Sequence, residues 1–306
     1  MVFQVCLIYS AGCDSKINES APPETLLVDG RALDVSYGPY ERNKLDFWQA
    51  EGAGARPVAV YIHGGGFVSS SKNNLNETTR DQLLNLRISV AAINYRYIKT
   101  DAMPAPMFDA ARAVQFLRSK AADWNIDAQR IAAWGGSAGA CIALWLAFHD
   151  DLADAASADA AERESTRLYC IAPNAGQSSL DPQWMKRWFP GGNTHLHPNL
   201  PLAFGVNSHD ELSQPEVQML IEEMSPINHV SSDDPPAYMT YSQANDSLAA
   251  DAAPSAGIHH PIFGIKLQET MQASGVECIL VIQKQAVGID PYGSMVKFLQ
   301  TKLAKP

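Results

Sequence analysis

The pentapeptide Gly135-Gly136-Ser137-Ala138-Gly139 restricts what this chain can fold into more than any other feature, because of what flanks it. The apolar segment 130–134 ahead of it has the length of a buried strand, and the apolar stretch 138–149 behind it has the length of a helix. Small residues on both sides of the serine let the backbone turn abruptly from strand to helix, which leaves the hydroxyl exposed at the helix N-terminus. G-x-S-x-G by itself also describes an ordinary glycine turn. A strand before it and a helix after it are the context that a nucleophile elbow requires.

The same alternation extends along the chain. Short apolar runs at 57–62, 88–95, 130–134, 167–172, 237–242 and 278–283 predict strands, and 75–86, 107–124, 138–149, 261–273 and 292–303 predict helices. Strands joined by helical crossovers build an α/β fold with a doubly wound, mostly parallel sheet, whose ligand site lies at the carboxyl ends of the strands. From about 177 to 235 the rhythm breaks. This region is rich in Trp, Pro, His and Asn with one helical run at 215–224, so it is expected to be an insertion over the sheet. The Ala/Asp-rich stretch 150–161 reads as a solvated helix or loop. One domain over 25–306 is expected, behind a polar leader or disordered tail at 1–24.

Composition narrows the partners. With 46% hydrophobic and 18% charged residues the chain can bury a large core. The 23 basic and 33 acidic residues leave a net charge of -10, and no Lys/Arg stripe offers a phosphate-binding face, which argues against nucleic acid. No segment approaches the roughly 20 apolar residues of a membrane span. Cys141, Cys170 and Cys278 fall in apolar segments and are expected as buried thiols. Cys6 and Cys13 bracket Leu-Ile-Tyr-Ser-Ala-Gly ahead of Asp14-Ser15-Lys16, a pattern like the end of a bacterial lipoprotein signal without its basic start. As a remnant signal it would imply a periplasmic or lipid-anchored protein, and as a chance pattern a cytoplasmic one.

A second glycine motif, His63-Gly64-Gly65-Gly66-Phe67, follows the strand at 57–62. Consecutive glycines let backbone N–H groups converge on one point without side chains in the way, as an oxyanion hole needs. With both motifs in order, the chain resembles the hormone-sensitive-lipase-like branch of the α/β-hydrolases, especially its small bacterial esterases, from about Asp34 to Leu303. Tyr61-Ile-His-Gly-Gly-Gly-Phe67, Asn94-Tyr-Arg-Tyr97, Trp134-Gly-Gly-Ser-Ala-Gly139, Ser225-Pro-Ile-Asn-His229 and Asp233-Asp-Pro-Pro236 carry the resemblance. It implies that Ser137 attacks an ester carbonyl and that the amides of Gly65, Gly66 and Ala138 form the oxyanion hole.

The resemblance also implies an acid after the strand at 237–242 and a histidine after the last strand. The acid's pattern ends in Asp-Pro-Leu; here Ser242-Gln-Ala-Asn-Asp-Ser-Leu248 puts Asp246 in its place, with Asp251 as fallback and an ordinary turn aspartate as the plain alternative. The histidine is missing, because that phrase reads Gln283-Lys-Gln-Ala-Val-Gly-Ile289 and no histidine follows His260. Ile258-His-His-Pro-Ile262 offers a replacement. Pro261 suits a helix's first turn, so His259 and His260 stand at its N-terminal edge, where the dipole favours the neutral imidazole of a base. His260 reads equally as a cap or a packing residue. His195, His197 and His209 in the insertion could also face the serine, and their spacing fits no firm metal site.

Two functions follow. One is a serine esterase for short acyl esters, with no metal or organic cofactor and with the insertion as a small lid lined by Trp184, Trp188 and Phe189. The other is a non-catalytic small-molecule binder, since plant gibberellin receptors resemble the same family, keep its pocket and lack the histidine. A protein using the fold only for association is a weaker third. The sequence sets no oligomeric state.

Overall fold

A computed structural model describes residues 26–189 and 192–304. The leader, with Cys6 and Cys13, lies outside the described residues. Among the described residues nine strands form one sheet: β1 (Arg31–Ser36), β2 (Lys44–Trp48), β3 (Arg56–Ile62), β4 (Ser89–Ile93), β5 (Ile126–Gly136), β6 (Cys170–Asn174), β7 (Ala237–Tyr241), β8 (Cys278–Ile282) and β9 (Gln285–Ala286). Their spatial order is β1-β2-β4-β3-β5-β6-β7-β8-β9. The pairs from β4-β3 through β7-β8 are parallel, and the edge pairs β1-β2, β2-β4 and β8-β9 are antiparallel.

This order places the site. The chain leaves β3 for β4 on one side, then returns across β3 to start β5 on the other, so the winding reverses between β3 and β5. A crevice opens at the carboxyl ends of strands where winding reverses. Ile62, the last residue of β3, pairs with Gly135 of β5. Both glycine motifs therefore emerge side by side into that crevice.

Among the described residues eight α-helices accompany the sheet: α1 (Glu77–Asn85), α2 (Ala105–Ser119), α3 (Ala138–Phe148), α4 (Pro182–Trp188), α5 (Asn199–Ala203), α6 (Pro215–Met224), α7 (Ile262–Ala273) and α8 (Met295–Leu303). Helices α2, α3 and α7 share a core with Val58, Val60 and Ile62, while α1 and α8 pack with Ala59, Val90 and Trp134 on the other face. Strands covered on both faces carry near-continuous apolar runs, which is why the central ones were legible. Every residue of α3 is buried. A helix that is apolar all round belongs inside the protein. Cys141, Cys170 and Cys278 are buried as expected, and burial pushes all three thiols up, that of Cys278 to about 12.

Two expectations need correction. The antiparallel strands β1, β2 and β9 were not anticipated; β1 is mostly exposed, and its register shifts between Ala32 and Val35, which blurs alternation. The insertion holds α4 and α5 besides α6, both too short for helical periodicity; α4 is started instead by Asp181, whose side chain accepts from the Gln183 amide at 2.7 Å. The stretch 150–161 is a loop, one of the two forms expected of it. Among the described residues no helix is long and apolar enough to cross a membrane.

Candidate active site

Ser137 caps α3 with φ 54° and ψ -121°, a conformation strained for an L-residue. The surrounding backbone holds it there: the Ser137 amide donates to the Asn174 carbonyl at 2.9 Å, and its own carbonyl accepts from the Cys141 amide at 2.9 Å. The glycine at 139 has a steric cause. A Cβ there would lie 2.1 Å from the Ile62 carbonyl oxygen and 2.5 Å from that of His63, so only glycine lets α3 start against the end of β3.

The loop after β3 is pinned from several directions. The Gly65 carbonyl accepts from the amides of Val68 (3.0 Å) and Ser69 (3.1 Å), and Asn199 Nδ2 donates to the Gly66 carbonyl at 2.9 Å. The Tyr95 hydroxyl lies 2.8 Å from the His63 carbonyl and 3.1 Å from that of Gly64, and its ring stacks on the His63 ring at 4.2 Å. His63 is buried, with Nδ1 2.8 Å from the Gly64 carbonyl; burial, helped by the Arg42 charge, pulls its pKa to about 4 and keeps it neutral. A Cβ on Gly64 would stand 3.5 Å from the Ser137 Cβ, so the loop lies directly against the serine. Among the described residues the Gly65, Gly66 and Ala138 amides donate no backbone hydrogen bond.

His259 Nε2 lies 2.8 Å from Ser137 Oγ. The ring is half-buried, and burial lowers its pKa, so the neutral form that can accept the hydroxyl proton is favoured. With Nε2 accepting, the imidazole proton sits on Nδ1. Among the described residues no carboxylate hydrogen-bonds this ring.

The structure separates the two histidines. His260 is buried and points away from the serine; its Nε2 donates to the Asp246 carbonyl at 2.9 Å, and its Nδ1 accepts from the Ile262 amide at 3.1 Å. It straps the start of α7 to the loop after β7. Asp246, expected as the acid, meets His260 through its backbone carbonyl, and its side chain is solvent-exposed. Asp251 is exposed too. The loop lacks regular structure that would turn either carboxylate inward. The phrase 283–289, where the resemblance would put a histidine, forms the exposed turn and β9 of the last hairpin.

A cavity of about 60 Å³ adjoins Ser137, walled by Phe67, Leu180, Met185, Leu200, Ile258 and Phe263, with Gln177, Thr194 and His197 as polar members. The Thr194 hydroxyl is buried without a hydrogen-bond partner. Trp184, Trp188 and Phe189 do not line the cavity, contrary to expectation. Trp188 packs edge-on against Phe263 (5.7 Å), and Phe189 packs against Phe263 (5.6 Å) and His260 (5.2 Å), so they brace its wall from behind. His197 reaches the cavity, while His209 Nε2 donates to the His197 carbonyl at 3.1 Å; burial and neighbouring histidines lower the His197 pKa. No hydrogen bond joins His195, His197 or His209 to Ser137 among the described residues.

Sequence reasoning missed the residues that aim His259. Gln177 Nε2 donates to the Ile258 carbonyl and Ser178 Oγ to the Phe263 carbonyl (2.8 Å), fixing the chain on both sides of the histidine. Both stand where the insertion begins, and nothing local in the sequence marks them.

Comparison with known proteins follows the geometry. The BD-FAE family model matches residues 45–253. The chain belongs to the BD-FAE family. This is an α/β-hydrolase family of the hormone-sensitive-lipase-like kind. The matched span covers both glycine motifs and ends before His259. A probable carboxylic ester hydrolase, LipM, of Mycobacterium tuberculosis is 28% identical over 222 residues, 70% of this chain and 48% of that protein. Esterase LipQ of the same organism is 28% identical over 215 residues, 69% of this chain and 48% of that protein. The chain spans about half the length of these curated relatives. Among solved structures, an acetyl ester-xyloside bifunctional hydrolase from Caldicellulosiruptor lactoaceticus superposes with a TM-score of 0.62 at 24% identity, covering 78% of this chain and 76% of its own. An esterase from Thermogutta terrifontis, Est2, gives 0.60 at 19%, covering 86% and 85%. These likenesses establish the α/β-hydrolase fold.

Proposed function

We propose that this chain is a carboxylesterase-type serine hydrolase that cleaves esters of short acyl groups through an acyl-enzyme. The observation that carries the reading is the 2.8 Å contact between His259 Nε2 and Ser137 Oγ, which supplies the base missing after the last strand. His259 takes the hydroxyl proton as Ser137 attacks the ester carbonyl, and the Gly65, Gly66 and Ala138 amides receive the developing oxyanion. The protonated imidazole then gives its proton to the leaving alkoxide. Water, deprotonated by the same nitrogen, attacks the acyl-serine and releases the acid. Nucleophile, base and oxyanion donors are protein groups throughout. Asp246 has no part in this relay, so the transient imidazolium forms without a carboxylate partner among the described residues.

The lining of the cavity supports a short acyl group. The space beside Ser137 is walled mainly by apolar side chains, which suits a small apolar acyl chain such as acetyl or propionyl. The names of LipM, LipQ and Est2 point to the same chemistry. The test is hydrolysis of p-nitrophenyl acetate and octanoate by the wild type and Ser137→Ala. Turnover favouring the acetate, lost in the variant, is expected. No turnover across a broad ester panel would leave the small-molecule binder as the surviving reading.

A further inference from the structure

Helix α3 carries reactive groups at both ends. Its far end meets a second cluster: His149 directly after α3, Glu223 in the last turn of α6, and His229 closing the 3-10 turn Pro226–His229. Each offers one ligand atom, all within 4.8 Å of one another.

The backbone dictates where the ring protons sit. A carbonyl oxygen only accepts, so His149 Nδ1, 2.8 Å from the Asp150 carbonyl, carries a proton. Its Nε2 faces Glu223 Oε1 at 2.8 Å. In the neutral ring a lone pair thus confronts a carboxylate, and something positive belongs between them: a second proton, or a cation. His229 Nε2 lies 2.7 Å from the Glu223 carbonyl and must donate to it, which leaves the lone pair on Nδ1. Both imidazoles therefore have one nitrogen tied to a backbone carbonyl and the other available, the arrangement that fixes the tautomer of metal-binding histidines. The frame is braced as well, since Trp145 Nε1 donates to the Glu223 carbonyl at 2.9 Å and the Trp145 ring packs on His149 at 4.3 Å.

We propose that His149, Glu223 and His229 bind a divalent cation of the zinc class, which clasps the end of α3 to the insertion. Two imidazoles and one carboxylate suit Zn²⁺ and its transition-metal neighbours, whereas Ca²⁺ and Mg²⁺ prefer all-oxygen shells. Ligands in a tetrahedral zinc shell stand about 3.3 Å apart at bond lengths near 2.0 Å. The Glu223 side chain, 49% exposed, is free to make the small adjustment, and its open side leaves room for water as a fourth ligand. With 11 residues in α3, rising about 1.5 Å each, the site stands roughly 16 Å from Ser137. The cation therefore acts on the fold and takes no part at the serine.

The test uses tag-free protein titrated with Zn²⁺ alone, followed by calorimetry and thermal unfolding. One equivalent should bind, and Tm should rise by about 5 °C at a hundredfold excess over Kd. Both effects should vanish in His149→Ala/His229→Ala and weaken in Glu223→Gln, whose exposed side chain makes misfolding a poor explanation, while ester hydrolysis by metal-free Glu223→Gln matches the wild type. Absence of binding up to about 1 mM Zn²⁺ overturns the proposal. So does binding that survives the double replacement and disappears in His197→Ala/His209→Ala, which would place the metal at the cavity mouth.

Discussion

Replacing His259 with alanine should slow ester hydrolysis by an amount the geometry lets one work out. In serine hydrolases with a complete triad, losing the serine or the histidine costs about 2 × 10⁶ in kcat, and losing the acid alone about 3 × 10⁴. Here no carboxylate among the described residues hydrogen-bonds His259, so the acid's contribution is already missing, and the base has roughly 70-fold left to lose, about 2.5 kcal/mol. The assay is kcat on saturating p-nitrophenyl acetate at pH 8, beside Tm for the same preparations. His260→Ala is the control: it removes two hydrogen bonds, to the Asp246 carbonyl and from the Ile262 amide, at about 1 kcal/mol each, and should lower Tm while leaving kcat within a few-fold. Unchanged kcat in His259→Ala would refute the assignment of the base. A loss beyond about 10⁴-fold would refute the two-residue relay, because only a base backed by an acid has that much to give.

Other outcomes follow from the same contacts. Burial lowers the His259 pKa below 6.5, and activity requires the neutral ring, so kcat/KM should hold constant down to pH 6.5 and fall below it; a limb at or above 6.5 in the pH–rate profile contradicts this. Over the same range the depressed pKa costs stability as pH falls, since the unfolded chain takes up the proton first. Asp246→Asn should keep kcat within about threefold, because the substitution leaves the backbone carbonyl that His260 uses. Gly139→Ala should destabilise by at least about 3 kcal/mol or prevent folding, since its Cβ would meet backbone oxygen at 2.1 Å; a denaturation midpoint equal to wild type would sink the packing argument.

What the sequence discloses of this site is what is local in it. The strand, turn and helix around Ser137 are contiguous, and Gly64, Gly65 and Gly139 answer clashes with the backbone oxygens of Gly136, Ser69 and Ile62, so pattern and cause coincide. His259 and His260 are different. Both stand ahead of Pro261, and which faces the serine depends on Gln177 and Ser178, some eighty residues earlier, gripping Ile258 and Phe263. Asp246 shows the opposite failure: its position matches a pattern, but side-chain direction in an irregular loop is not written in position. The edge strand β1 escaped because most of it is exposed, and β2 because Lys44 and Asp46 interrupt its short apolar run. Lys72 answers the acidic residues of both strands, binding Asp34 and Asp46 at 2.8 Å each.

The hairpin of β8 and β9 turns through Gln283 and Lys284, both at positive φ, and Val287 and Ile289 beyond it are exposed. A histidine on that tip would tie the sheet's last edge to the serine, and any change in the turn would move the chemistry. With the base on the segment before α7, as proposed, that tie is cut. Every group assigned to catalysis lies between Gly65 and His259, and the remaining stretch through α8 serves as scaffold. The hairpin tip thus becomes a site where loops can be lengthened, exchanged or grafted at a cost paid in folding alone, which gives the fold an edge for remodelling without retuning its centre.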